Sequence, residues 1–200
     1  MSELLLVRNG AVAAHAHHVQ LAAQPDLPLN DAGEDQARAL RPYLRNRRFG
    51  RVLSSPLSQA RQTAALAGLE AEPDENLIEW CSVTSSQTTS AKPGLGDRCG
   101  TIRFDTSAPI TMSGEATHAP TARADHVLAE ADTVLADGKD VVLVANANML
   151  QILAARWLGL PALAAPRLPL ATGSLSVLGS RRDNRALLLW NFLPRAWPPL

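Results

Sequence analysis

Short apolar runs that end abruptly in polar residues are the strongest constraint on how this chain folds. Leu4-Leu5-Leu6-Val7 stops at Arg8-Asn9-Gly10, and Val141-Val142-Leu143-Val144 stops just before Asn146. Runs of four apolar residues bounded this way suit strands buried on both faces, which occur mainly in parallel sheets. Between them lie segments with helical spacing. Asn30 is placed to cap a helix running to about Arg47, with Ala37, Leu40 and Leu44 on one face. Arg51–Ser55 reads as a second strand, and Ser55-Pro56 as the cap and first residue of a helix through Ala67. A helix is expected over about 120–136, beginning near Pro120, and another from Asn146 to Leu158. Gly173–Leu178 and Arg185–Trp190 read as two strands of a hairpin around Arg181-Arg182-Asp183-Asn184. The expected class is α/β: a three-layer α/β/α sandwich, with a mainly parallel sheet and a C-terminal antiparallel hairpin.

At 200 residues the chain has the length of one domain, and 46% hydrophobic with 19% charged residues excludes a disordered or fibrous chain. Nineteen basic residues balance nineteen acidic ones, which argues against nucleic-acid binding, since that normally needs a basic excess. No stretch reaches the ~18 apolar residues of a membrane span, and the N-terminus lacks a basic, signal-like start. Cys81 and Cys99 form no disulfide framework, so a cytoplasmic location is expected. Residues 80–113, rich in Ser, Thr, Gly and Pro, read as a long irregular, lid-like insertion.

Several segments taken in order resemble the histidine phosphatase (phosphoglycerate-mutase-like) superfamily. They are Leu4–Gly10, Asp26-Leu27-Pro28-Leu29, Ser54-Ser55-Pro56-Leu57, Glu79-Trp80, Gly114-Glu115, Asp140–Asn148 and Leu189-Trp190-Asn191. The resemblance covers nearly all of residues 1–200 as one domain, apart from 80–113. It implies a nucleophilic histidine at position 9, where this chain has Asn9, and a second histidine at 146, where it has Asn146. Ala147 and Asn148 fill the places of the following Gly-His, and Gln59 that of a phosphate-binding arginine, with Arg61 two residues on. Arg8 and the acid Glu79 match the family pattern, and His15 stands seven residues after the motif arginine, where mutase-like members often have asparagine.

A carboxamide nitrogen is no useful nucleophile, because its lone pair is delocalised into the carbonyl. On that ground the sequence leads us to expect an enzyme that is neither phosphatase nor mutase. Its chemistry would be acid/base (cyclisation, condensation, elimination or isomerisation) on a small carboxylate- or carbonyl-bearing metabolite, in secondary metabolism. Glu79 and His15 would move protons, while Arg8, Asn9, Gln59, Asn146, Ala147 and Asn148 bind substrate. Free backbone N–H groups at the start of the helix after Asn146 would favour an anion or oxyanion. Each residue also has a plainer reading: Glu79 as an ion-pair partner of Arg8, His15 as a solvated loop residue, Cys81 as a buried filler, and the amides as neutral drift. Two alternatives stand beside the enzyme: an inactive pseudophosphatase that binds a metabolite or protein, and a metal-dependent enzyme using His15-Ala16-His17-His18. The preferred reading needs no cofactor and no metal. The expected partner is a small anionic or carbonyl substrate, with the apolar segments around Trp190, Phe192 and Trp197 open to homodimer formation.

Overall fold

In the computed structural model, residues 2–12, 26–79 and 114–194 are described, the side chains of 114–117 excepted. Six strands form one sheet in the order β3-β2-β4-β1-β5-β6. They are β1 (Leu4–Arg8), β2 (Phe49–Ser54), β3 (Glu72–Pro73), β4 (Asp140–Ala145), β5 (Leu175–Arg181) and β6 (Asn184–Phe192). Strands β1, β2, β3 and β4 run parallel, and β5 and β6 complete the sheet antiparallel. The helices are α1 (Asp31–Leu44), α2 (Ser58–Leu66), α3 (Gly114–Ala136) and α4 (Ala147–Trp157). This is the mixed α/β, phosphoglycerate-mutase-like architecture expected from the sequence.

The unbroken apolar run of β1 is explained by its place inside the sheet. Successive side chains point to opposite faces. Leu4 and Leu6 pack with Ala124, Val127, Leu143 and Leu153 against α3 and α4. Leu5 and Val7 pack with Leu40, Leu44, Ala60 and Ala64 against α1 and α2. Both faces are therefore covered, and neither leaves room for a polar residue.

Helix α1 begins where expected: the Asn30 side chain accepts from the Gly33 N–H at 2.8 Å. Helix α2 departs from expectation. It starts at Ser58 after Leu57, not at Ser55-Pro56, and no side chain of its own N-cap residue closes it. The Asp26 carboxylate instead accepts from the Ser58 N–H at 2.5 Å, a cap delivered from 32 residues away. Helix α3 starts at Gly114, six residues before the expected Pro120, which lies inside it. Proline best suits a first helical turn, so local chemistry pointed to a start that the helix extends past.

The hairpin is tighter than its sequence suggested. Strands β5 and β6 pair up to Arg181 and Asn184, leaving Arg182 and Asp183 as the two turn residues. Both have positive φ, 51° and 64°, the handedness that matches the twist of a two-residue hairpin. Among the described residues no helix is long and apolar enough to cross a membrane.

Candidate functional site

The parallel strands β1, β2 and β4 end at one edge of the sheet, where α/β folds place their ligand crevices. Register fixes who meets there. Arg8 lies beside Ala145 and Ser54 beside Val144, so Asn9 and Asn146 emerge next to each other from adjacent strands. Asn9 is held by its main chain: its N–H donates to the Ala145 carbonyl at 3.0 Å, and its carbonyl accepts from Gly173 N–H at 3.0 Å. Its side-chain Nδ2 donates to the Gly10 carbonyl at 2.9 Å, which leaves Oδ1 as a buried acceptor with no partner among the described residues. Asn9 is 5% exposed.

Gly10 could be nothing larger. A Cβ there would lie 2.4 Å from the Gly33 carbonyl oxygen, a backbone atom of α1 that cannot swing away. The Gly10 N–H donates to Thr63 Oγ1 at 3.0 Å, and that hydroxyl donates to the Gln59 carbonyl at 2.7 Å. This short chain of bonds seats the first turn of α2, and with it the 4%-exposed Gln59, against the loop after β1.

Arg8 is aimed from the far side of the sheet. Its Nη1 donates to the Leu170 carbonyl. The segment carrying Leu170 is tied down by the C-terminal Trp190-Asn191 pair. Trp190 Nε1 donates to the Pro169 carbonyl at 2.9 Å, and Asn191 Oδ1 accepts from Ala171 N–H at 2.7 Å. The Trp-Asn motif thus acts at a distance, through the loop that orients the arginine.

Glu79, 7% exposed, closes the N-terminus of α4. Its Oε2 accepts from Asn148 N–H at 3.1 Å and its Oε1 from Met149 N–H at 3.0 Å. Of the expected free N–H groups at 146–148, that of Asn148 is therefore engaged by a resident carboxylate together with the Met149 N–H, and those two amides form no open anion cradle. The dipole of α4 and both hydrogen bonds favour negative charge on Glu79. Asn146 takes the N-cap position with extended backbone, but its side chain makes no capping bond.

Arg123 on α3 escaped the sequence reading, because nothing in its helical surroundings marks it as different from a solvated arginine. It is partly buried and donates from Nη1 to the Ile78 carbonyl at 2.8 Å, next to Glu79. Burial lowers its pKa, and the negative charge of Glu79 partly opposes that.

The structure thus brings Arg8, Asn9, Gln59, Glu79, Asn146, Ala147 and Asn148 to one end of the sheet. Arg61 is exposed. His15, Cys81 and the His15–His18 run lie outside the described residues, as do Trp197 and the segment 80–113. Among the described residues, no group of three His, Cys, Asp or Glu side chains is arranged to hold a metal ion.

The family model of the histidine phosphatase superfamily (branch 1) matches residues 4–193. The chain belongs to that superfamily. It is 28% identical over 166 residues to the adenosylcobalamin/alpha-ribazole phosphatase of Salmonella typhimurium, spanning 80% of this chain and 81% of that protein. Among solved structures it is similar to the product of a Mycobacterium tuberculosis open reading frame. There the TM-score is 0.75 at 24% identity, covering 97% of this chain and 99% of the other. It is also similar to the alpha-ribazole phosphatase of Shigella flexneri, with a TM-score of 0.65 at 20% identity over 95% and 96% of the two chains. At those identities the structures speak to the fold.

The comparisons correct the functional expectation. Relatives of this superfamily member are phosphatases by name, which overturns the expectation of a chain that is neither phosphatase nor mutase. With it go the carbonyl- or carboxylate-metabolite enzyme and the pseudophosphatase; the metal-dependent reading rests on His15–His18, outside the described residues. Absence of the family pattern's two histidines and of one of its arginines, with Asn9, Asn146 and Gln59 in their places, is not by itself absence of the reaction. An amide at position 9 closes the route through a phosphohistidine, but phosphoryl transfer rests mainly on positioning and charge stabilisation. Those can operate on a water nucleophile as well.

Proposed function

We propose that this protein is a phosphatase that hydrolyses a small phosphate monoester, with water as the direct nucleophile. The observation that carries the reading is the match to a phosphatase superfamily over residues 4–193, joined to Arg8 and Glu79 at the strand ends. In this reading Arg8 holds the phosphoryl group, and Asn9, Gln59 and Asn146 line its seat. The turn at Ala147 and Asn148 fixes Glu79.

Water adds to phosphorus, the bond to the ester oxygen breaks, and the leaving oxygen takes a proton to become the alcohol. Each Glu79 oxygen accepts one backbone N–H, which fixes the carboxylate in place. In this reading it orients the attacking water and receives its proton. His15 is the second proton carrier in this scheme, delivering to the leaving oxygen. The setting we propose is the cytoplasm, with a small-molecule substrate and no nucleic-acid partner.

The test is release of inorganic phosphate from a panel of phosphate monoesters in labelled water. Wild-type turnover should place one labelled oxygen in the phosphate, and Glu79→Gln and Arg8→Ala should each reduce the rate by about 100-fold or more. Phosphate release that both variants match, or none from any ester, would overturn the reading.

A further inference from the structure

The strand-end site holds a fixed hydrogen-bond acceptor in its wall. At its helix N-termini, carboxylates take the Ser58 N–H (Asp26) and the Asn148 and Met149 N–H groups (Glu79). Three amide oxygens, Asn9 Oδ1, Gln59 Oε1 and Asn146 Oδ1, are buried there with no hydrogen-bond partner among the described residues. The orientation of Asn9 is not ambiguous, since its nitrogen must face the Gly10 carbonyl. A buried acceptor left unsatisfied costs about 1–3 kcal/mol, so Asn9 Oδ1, whose amide cannot turn, calls for a ligand that donates, while the Gln59 and Asn146 amides can present either face.

A doubly charged phosphate offers acceptors only and would set an oxygen against Asn9 Oδ1. The singly charged form carries one P–OH. We infer that the site selects the phosphoryl group as its protonated monoanion, with the P–OH donating to the buried amide oxygens, Asn9 Oδ1 foremost. This rests on the proposed phosphatase reading and specifies which ionic form of the substrate it takes. Arg8 supplies the single positive group on β1 that a monoanion needs. The other charged groups around the site are Asp26 and Glu79, both engaged with helix amides, the exposed Arg61 on α2, and Arg123 on α3 beside Ile78.

The experiment is calorimetric titration of the full chain with inorganic phosphate and, separately, with sulfate, across the pH range in which phosphate takes up its second charge. Sulfate keeps its double charge throughout and offers no proton, so it should bind far more weakly than phosphate at the low end of the range. Phosphate affinity should fall about tenfold per pH unit once the dianion dominates, because the binding-competent fraction falls so. Asn9→Leu, close in size and without the acceptor, should flatten that slope, with circular dichroism confirming the fold. Affinity that rises with pH, that follows sulfate, or that is absent at every pH overturns the inference. Phosphate release from esters is scored separately. Hydrolysis with a dianion preference sinks this inference alone, and monoanion-selective binding without hydrolysis sinks only the assigned activity.

Discussion

Replacing Glu79 by glutamine preserves the size of the side chain and removes its charge, so it isolates what the carboxylate does for α4. In the native protein two N–H groups, of Asn148 and Met149, donate to it at 3.1 and 3.0 Å. A hydrogen bond to a charged acceptor is worth about 1.5–3 kcal/mol against about 0.5–1.5 for a neutral one. Glutamine keeps one acceptor and turns the other atom into a donor, so one buried N–H faces another N–H. That mismatch costs about 1–3 kcal/mol, and loss of charge at the helix terminus about 0.3–1 more. These overlap, and their sum is about 3 kcal/mol, little screened because Glu79 is 7% exposed. For a chain of 200 residues each kcal/mol moves Tm by about 2–4 °C, so Glu79→Gln should melt about 6–12 °C below wild type. Thermal unfolding followed by circular dichroism reads this directly. Glu79→Asp, charged but shorter, should fall between the two. A glutamine variant melting within about 1 °C of wild type would refute the capping argument.

Three further outcomes are expected. Gly10→Ala places a Cβ against the Gly33 carbonyl and should cost about 3 kcal/mol, visible in urea unfolding as a lower midpoint with an unchanged slope. Asn30→Ala removes the α1 cap and the Nδ2 bond to the Val12 carbonyl at 3.0 Å; the expected loss is about 1 kcal/mol, or about 2–4 °C in Tm. Asp183→Gly relieves a positive φ of 64° in the hairpin turn and should raise stability by about 0.5 kcal/mol, measured by the same melts.

Sequence patterning was a good guide wherever one residue set determined one element. The Leu4–Val7 run had to be an inner strand, and Asn30 had to cap a helix, because each signal is local. The Asp26 cap on α2 was invisible, since it joins residues 26 and 58 through space and leaves Ser55-Pro56 as a false start. Arg123 was missed for the same reason: its relation to Glu79 exists only once α3 packs against the turn that ends in Ile78. At the site, matching residues to a motif located Asn9, Gln59, Glu79 and Asn146 at one sheet edge. It did not show that Glu79 occupies the α4 amides, because a sequence carries no record of which donors are already engaged.

The way Asn9 is held has a further consequence. Its N–H and carbonyl are fixed by Ala145 and Gly173, and the space beside it is set by Gly10 against Gly33. None of these contacts depends on the side chain at position 9. The fold therefore provides a socket whose position is settled by backbone alone, into which different reacting groups can be fitted without rebuilding the sheet. In such a socket the group at position 9 can be exchanged by one substitution, while a change of location would require dismantling β1, β4 and α1 together.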